Sequence, residues 1–471
     1  MSASASRIAI SQATITLDGA ARGLLYLLPL AVAFGSLAPL GVGSLRAGVT
    51  DLFVAALVAL GVAWLWRSPD ARADLAHPVA WARRLWRAEP QALALLLALV
   101  AYLAVIIFSI LVAYTRSPVI KETLKWSEVL AVVAATWLFI RTERQALWLA
   151  WGVIIAGLAE ALLGCAQYVV ATGLLGPGGA NIRVYGTFDQ PNPFGGYLNL
   201  ALPLALALAL FGRDPRMRWV AAGASGLLLF ALYLSDSRGA LLGLVAALIV
   251  LVAVGWRYER QALIAIAVGA PLLLIAWFTH LIPASIENKL LAQFRVNDVS
   301  LTAQVNDANY STIERLAHWV AGLRMFRAHP LLGVGAGNYD AAYAQYKVPG
   351  WDESLTQAHN YYINAAAETG ALGLVTLLAI VAVALWLAWR ATRATDLRRA
   401  GMAELAGVDA RALAIGAAAV VAALCVHNLT DDLFVHAMEL QFALTLGLLL
   451  RLAAPKGFAK GQPHSQHANI R

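Results

Sequence analysis

Charge is the scarcest property of this chain. Asp, Glu, Lys and Arg make up 13% of its 471 residues, about half the share usual in soluble domains, and this excludes an ordinary water-soluble globule. Cysteine is nearly absent: Cys165 and Cys425 are the only two. Each lies in an apolar stretch, so no disulfide framework is expected and both read as small packing residues. Strands alternating with helices are lacking too. Without a βαβ unit, Leu332-Gly333-Val334-Gly335-Ala336-Gly337-Asn338 is a glycine turn with only a superficial likeness to a dinucleotide fingerprint. The chain has no evident internal repeat, which argues against transporter folds built from inverted halves.

Hydrophobic residues, 60% of the total, fill the space that charge leaves. The chain reads as an integral membrane protein, and its 15 Trp suit many water–lipid interfaces. Apolar windows long enough to span fall near 24–43, 50–66, 91–113, 126–141, 147–171, 193–211, 218–234, 238–255, 262–279, 371–389, 412–428 and 433–450. The first runs too far to be a signal-peptide core and is read as a span. With the N-terminus in the cytoplasm, inside segments hold 23 of the 35 basic residues. Of the other 12, six lie in one long loop where the charge rule has little weight, so the short loops divide 23 to 6. Both termini are therefore expected in the cytoplasm and the long loop outside. The net charge of +8 follows from this asymmetry and calls for no nucleic-acid partner.

The expected fold is all-α, with about 12 transmembrane helices and one long, largely helical extracytoplasmic loop. It divides into spans 1–9 (1–279), the loop domain (280–370), spans 10–12 (371–453) and a cytoplasmic tail (454–471). In the loop, Ser311-Thr312-Ile313-Glu314 has capping-box spacing and predicts an amphipathic helix over Thr312–Ala328, stopped by Pro330. A short helix through Tyr339, Tyr343 and Tyr346 follows the glycine turn. His359 and Asn360 then open a helix that runs through Asn364 and Glu368 into the membrane.

The alternation of spans puts several polar groups on one side of the bilayer: Arg183 and Asn192, Arg238, Arg315 and His359, and Asn428, Asp431 and Asp432. Arg238 is the sharpest case, because a guanidinium in an apolar helix costs about 2.5–3.5 kcal/mol at mid-bilayer and less at the interface. It is either a snorkelling interfacial residue or an anion clamp whose planar fork suits phosphate oxygens. Arg183 reads as a solvated loop charge or a second clamp, and Arg315 as the polar face of its helix or a third. Arg324 and Arg327 read as headgroup contacts. His359 is either a helix-capping histidine or a general base, a role that typically contributes about 10²–10⁴-fold. His280, His318, His329, His427 and His436 read as structural. Glu160, in the fifth span, is either neutral or hydrogen-bonded inside the bundle. Asp431-Asp432 lacks the further ligands a metal site needs, so no metal and no cofactor are expected.

These residues carry a resemblance. Gly186-Thr187-Phe188 with Pro191-Asn192-Pro193-Phe194-Gly195-Gly196-Tyr197, Ser235-Asp236-Ser237-Arg238-Gly239-Ala240, Arg315 to Trp319 running on to His329-Pro330-Leu331-Leu332-Gly333-Val334-Gly335, and Ala358-His359-Asn360 followed by Glu368-Thr369-Gly370 resemble the O-antigen ligase and polymerase superfamily of bacterial envelope glycan enzymes. The resemblance implies a GT-C-like membrane glycosyltransferase of the bacterial inner membrane, working at its periplasmic face. The implied donor is a glycan on undecaprenyl diphosphate. Arg238, Arg183 and Arg315 would hold the diphosphate and His359 would serve the acceptor hydroxyl, with Asn192, Asn360 and Tyr197 in support. The acceptor is lipid A–core in a ligase and a lipid-linked repeat unit in a polymerase, two branches that stand level; a chain-length regulator is a further implied partner. Transport of a small solute or anion is the alternative from another class.

Overall fold

The computed structural model describes residues 3–35, 40–42, 45–172, 182–255, 301, 305, 309–401 and 409–454. Apart from a hairpin of two three-residue strands, β1 (Leu40–Val42) and β2 (Leu45–Ala47), its regular structure is helical. In chain order the helices are α1 (Ala3–Phe34), α2 (Val49–Arg67), α3 (Pro69–Ala76), α4 (Pro78–Ala88), α5 (Pro90–Phe108), α6 (Arg116–Phe139), α7 (Glu143–Thr172), α8 (Pro191–Phe211), α9 (Pro215–Ser235) and α10 (Arg238–Gly255). After the long loop's first residues come α11 (Tyr310–Ala328), α12 (Tyr339–Tyr346), α13 (Tyr361–Gly401), α14 (Ala410–His427) and α15 (Met438–Ala453). Proline in the first turn starts five of them, α3, α4, α5, α8 and α9. There its missing N–H costs nothing and its fixed φ already suits the helix.

Among the described residues, eight helices are long and apolar enough to cross a membrane: parts of α1, α2, α5, α7, α8, α9, α13 and α14. The chain is a predominantly helical integral membrane protein. Of the twelve windows expected, 262–279 lies outside the described residues and the other eleven each meet a helix. Three of those eleven fall short of a full apolar span for visible reasons. The first 13 residues of α6 carry Arg116, Lys121, Glu122, Lys125 and Glu128, α10 has a shorter apolar stretch, and α15 has 16 residues. The first span is shifted toward the N-terminus, Thr16–Phe34 in place of 24–43. Gly35, Pro39, Gly41 and Gly43 interrupt the second half of that apolar run, and hydropathy alone does not register such breaks.

At the centre lie α8 and α14, buried on nearly every side against each other and against α9 and α10. Both are rich in Ala and Gly, which lets helix axes approach closely where lipid gives no hydrophobic drive. The loop helices form a smaller core of their own from Ala321, Met325, Val334, Tyr339, Ala342, Tyr343, Ala358 and Ala367. Helix α11 begins two residues earlier than its capping box suggests, behind Asn309, and no side-chain cap forms there.

Helix α13 is broken at Gly370, whose φ of 66° and ψ of −164° are not helical. A break inside a membrane span frees backbone groups that must be paired within the protein. The turn after Pro330 pairs them. Val334 and Gly335 N–H donate to the carbonyls of Ala367 and Glu368 at 3.0 and 2.9 Å, and Ala371 and Leu372 N–H donate to Pro330 and Leu331 at 2.8 and 3.3 Å. The two backbones touch so closely that a Cβ on Gly370 would strike Leu331, and one on Gly333 would strike Glu368. The Glu368 carboxylate adds two bonds, accepting from Gly337 N–H at 2.9 Å and Tyr339 N–H at 3.2 Å, and so caps α12. The motifs around 330–337 and 368–370 are thus two halves of one joint.

Candidate active site

The loops at one end of the bundle interlock around the turn between α14 and α15. Gly239, the second residue of α10, packs on the His427 ring and the Thr430 hydroxyl. Gly196 of α8 packs on Leu433, and Gly195 on Ala240 and Ser237. Helix α13 docks on the same turn: Tyr361 N–H donates to the carbonyls of Asn428 (2.9 Å) and Asp431 (3.2 Å), and Asn360 Nδ2 donates to Leu429 O at 2.8 Å. Asn360 is also the N-cap, its Oδ1 accepting from Tyr362 and Ile363 N–H at 3.1 Å each. The six non-glycine residues with left-handed φ among the described residues, Asp189, Asp236, Thr356, His359, His436 and Ala437, all lie in loops at this end. Such conformations cost about 1–3 kcal/mol each and collect where function demands them.

His359 has a φ of 50° and turns its ring onto Asp431, with Nδ1 3.0 Å from Oδ1 and the two side chains 15% and 6% exposed. With Nδ1–H donating to the carboxylate, the tautomer is fixed and Nε2 is left with its lone pair as a base. Burial alone would raise Asp431. The hydrogen bond and charge of His359, with His427 and Arg315 behind them, outweigh burial and hold this carboxyl below the usual carboxylate range. It is therefore ionised when a histidine needs it. On the other side, His318 of α11 sits edge-on to the His359 ring at 6.3 Å and stacks on Tyr343 at 4.7 Å. Burial, then the charge of His359, pushes His318 down to about 4, so it is neutral near pH 7.

The arginines gather at the same place. Arg183 donates from Nε to Ser235 O and from Nη2 to Asp236 O, 3.1 Å each, and to Asn192 Oδ1 at 3.2 Å. It braces the strand-like segment at 182–185 against the turn that precedes Arg238. Its pKa is lowered by burial, Asp236 opposing, and further by the charges of Arg315 and Arg238. Arg315 in turn acts on Asp431. Three guanidinium groups and the His359–Asp431 pair are therefore within electrostatic reach of one another. Among the described residues, neither Arg238 nor Arg315 has a hydrogen-bond or ion-pair partner in the protein. The arrangement offers free bidentate donors beside a fixed base.

Other residues are placed elsewhere. Tyr197, fully buried, donates its hydroxyl to Pro29 O at 2.8 Å and packs on Phe188, so it serves the bundle interior and not the arginine cluster. Glu160 accepts from Thr187 N–H at 3.1 Å and Thr187 Oγ1 at 2.9 Å, while Gln167 bonds both backbone groups of Gly186. The two polar groups of α7 thus hold the Gly186-Thr187 loop in place. Arg324 donates to the carbonyls of Tyr346 and Lys347 at the end of α12 instead of facing headgroups. Asp432 accepts from Phe434 N–H at 2.8 Å. Among the described residues, no three His, Cys, Asp or Glu side chains gather as a metal site would require.

His427, read as structural from the sequence, lies behind the pair. It is fully buried, and neither ring nitrogen has a partner. It lies under Gly239, next to Arg238, and within charge range of Asp431 and Arg315. Its only signal in the sequence was its place at the end of an apolar helix, followed by Asn428 and the two aspartates.

Residues 223–378, a third of the chain, match the family model for O-antigen ligase. The match supports membership of the O-antigen ligase/polymerase superfamily. It takes in Arg238, Arg315 and His359, and leaves Arg183, Asn192 and Asp431 outside. A comparison with curated proteins returns no match. For this superfamily, glycan transfer of the ligase or polymerase type by a membrane enzyme, with lipid-linked glycan substrates, is the activity that the match supports in general.

Proposed function

We propose that this chain transfers a glycan from undecaprenyl diphosphate to a sugar hydroxyl, with inversion and without a metal, at the periplasmic face of a bacterial inner membrane. The observation that carries the reading is the buried His359–Asp431 pair set among Arg183, Arg238 and Arg315 at one end of the bundle. His359 Nε2 takes the proton of the acceptor hydroxyl while that oxygen forms its bond to the anomeric carbon. The bond from that carbon to the diphosphate oxygen breaks, and its electron pair leaves on the diphosphate. Negative charge grows on the leaving group just where preorganised guanidinium groups stand, the arrangement that lowers a barrier most. Asp431 stabilises the imidazolium formed in the same step. Arg238 and Arg315 are free to clamp the diphosphate, and Arg183 contributes its remaining donors while bracing the turn beneath.

A ligase acceptor, lipid A–core, and a polymerase acceptor, a lipid-linked repeat unit, are served equally by this chemistry. Transport gains no support, since Glu160 and Gln167 are engaged by a loop and offer no ion path. The test is reconstitution of the purified protein with lipid-linked glycan. A ladder on undecaprenyl diphosphate identifies a polymerase, label on lipid A–core a ligase, and either product is expected to be lost with His359→Ala or Arg238→Ala. Absence of transfer, or transfer untouched by both substitutions, removes the enzyme reading.

A further inference from the structure

A cavity of about 210 Å³ is lined by close chain neighbours of His359 and Asp431, among them Gln357, Tyr361 and Asp432, and by none of the three arginines. Its wall includes Glu122, Lys125, Gln357, Asn364, Glu368 and Asp432. Gln357 is two residues before His359 and Asp432 is the residue after Asp431, so the pocket adjoins the proposed base through the chain itself. At about 30 Å³ per water it has room for about seven waters, and so for one sugar ring but not for an acyl chain or a whole glycan. Lys125 Nζ donates to Glu122 at 2.6 Å and to Phe434 O at 3.3 Å. Glu368 is engaged by two backbone N–H groups and Lys125 is paired with Glu122, so with Asp432 beside them the lining offers no free cation to a diphosphate. It offers instead many directional acceptors, the complement of a ring of hydroxyls. Among the described residues Gln357 Oε1 is buried without any partner, an acceptor atom whose desolvation none of them offsets.

Building on the glycan-transfer reading above, we propose that this pocket seats the acceptor sugar, its hydroxyl groups bonded to Gln357 and Glu122, while the donor diphosphate is held apart on the arginines. The free guanidinium groups, and the lack of a free cation in the pocket, thus sort the two substrates. A neutral polyol suits the pocket, a dianion finds no free cation there, and the diphosphate goes to the guanidinium groups.

The experiment uses the full chain in nanodiscs with a polyprenyl-diphosphate-linked glycan as donor. Lipid A–core and a lipid-linked repeat unit are offered as acceptors in separate arms. Gln357→Ala deletes an atom that has no partner, so it leaves no new orphan in the fold, and Glu122→Gln keeps shape while removing charge. Each is expected to raise KM for the reacting acceptor about tenfold, with donor KM within about twofold of the parent; Arg238→Ala is expected to raise donor KM instead. If both pocket variants keep the parent acceptor KM while Arg238→Ala still raises donor KM, the pocket is an internal ion-pair network and the proposal fails alone. If neither acceptor is glycosylated and Arg238→Ala changes nothing, the transfer reading fails and takes the pocket with it.

Discussion

Replacing Asp431 by Asn isolates the contribution of one charge to the proposed chemistry. The Nδ1–Oδ1 separation is 3.0 Å with both groups buried, so an imidazolium and carboxylate there attract by about 5–6 kcal/mol at an effective dielectric of about 20. Most of this offsets desolvation, and a hydrogen bond to a charged group is left with a net of about 1.5–3 kcal/mol. Asn supplies the same shape, and its Oδ1 can still accept from Asp432 N–H, as Asp431 does at 2.9 Å. The fold should therefore survive, while an imidazolium forming at His359 loses its counter-charge. Where the amide instead turns its NH2 toward Nδ1, it gives up the Asp432 N–H, selects the tautomer with the proton on Nε2 and removes the base. The expected result is a fall in kcat of about 10- to 150-fold with donor KM unchanged, measured with reconstituted protein under saturating acceptor. A variant with kcat within twofold of the parent, and an unchanged melting temperature, would refute the pairing as a catalytic device.

Other perturbations follow from the same geometry. Gly370→Ala places a Cβ against Leu331 in a conformation that only glycine adopts freely; strain of about 1–3 kcal/mol and the loss of the four backbone bonds of the joint should lower the melting temperature and open the 330–337 turn to protease, whereas unchanged digestion would show that the joint is dispensable. His318 is held at about 4 against an ordinary 6.5, so the folded state refuses a proton that the unfolded chain accepts. Its stabilising contribution is complete above pH 6.5 and is lost as pH falls toward 4, by about 3 kcal/mol at 1.36 kcal/mol per unit. Thermal unfolding at pH 7 and pH 5 should show a larger loss in the parent than in His318→Gln. Inorganic pyrophosphate should relieve the mutual repulsion of the three arginines and raise the melting temperature by an amount equivalent to about 1.4 kcal/mol at tenfold excess over Kd; Arg238→Ala should abolish the rise, and an equal rise with chloride at matched ionic strength would mark it as simple screening.

Much of the site was legible because polarity is expensive near lipid. Arg238 in an apolar helix and His359-Asn360 at the mouth of another needed a reason to be there, and the alternation of spans already put their loops on one side. Helices α11 and α12 were also readable, from an apolar period and a proline–glycine stop. What the sequence could not supply was pairing across long separations. Asp431 stood out as a carboxylate, but its bond to His359 links residues 72 apart. The break at Gly370 lies in a helix expected to run unbroken into the membrane, and only the 330–335 turn docked against it turns the break into a joint. Tyr197 has the company of a site motif yet faces inward, because a strand of motif residues one helical turn long must point to more than one side. Charged helix starts, as in α6, likewise hide from a hydropathy window.

The positions of Arg183 and Arg238 bear on why a site of this kind tolerates so much unpaired positive charge. Arg183 binds two carbonyls of the turn that carries Arg238, so the most repulsive neighbours are held by backbone geometry and not by mutual attraction. Burial depresses Arg183 most, against Asp236, and the charges of Arg315 and Arg238 add to the depression. Arg183, fixed in this way, cannot relax by swinging into water as isolated surface arginines do. An anion that enters relieves the repulsion on it directly. The relief grows with the charge of the anion, and hence is larger for the departing diphosphate monoester than for the dianionic diester it came from. Discrimination between ground state and transition state then comes from rigidity of the turn, and loosening Ser235–Ser237 should cost rate before it costs affinity.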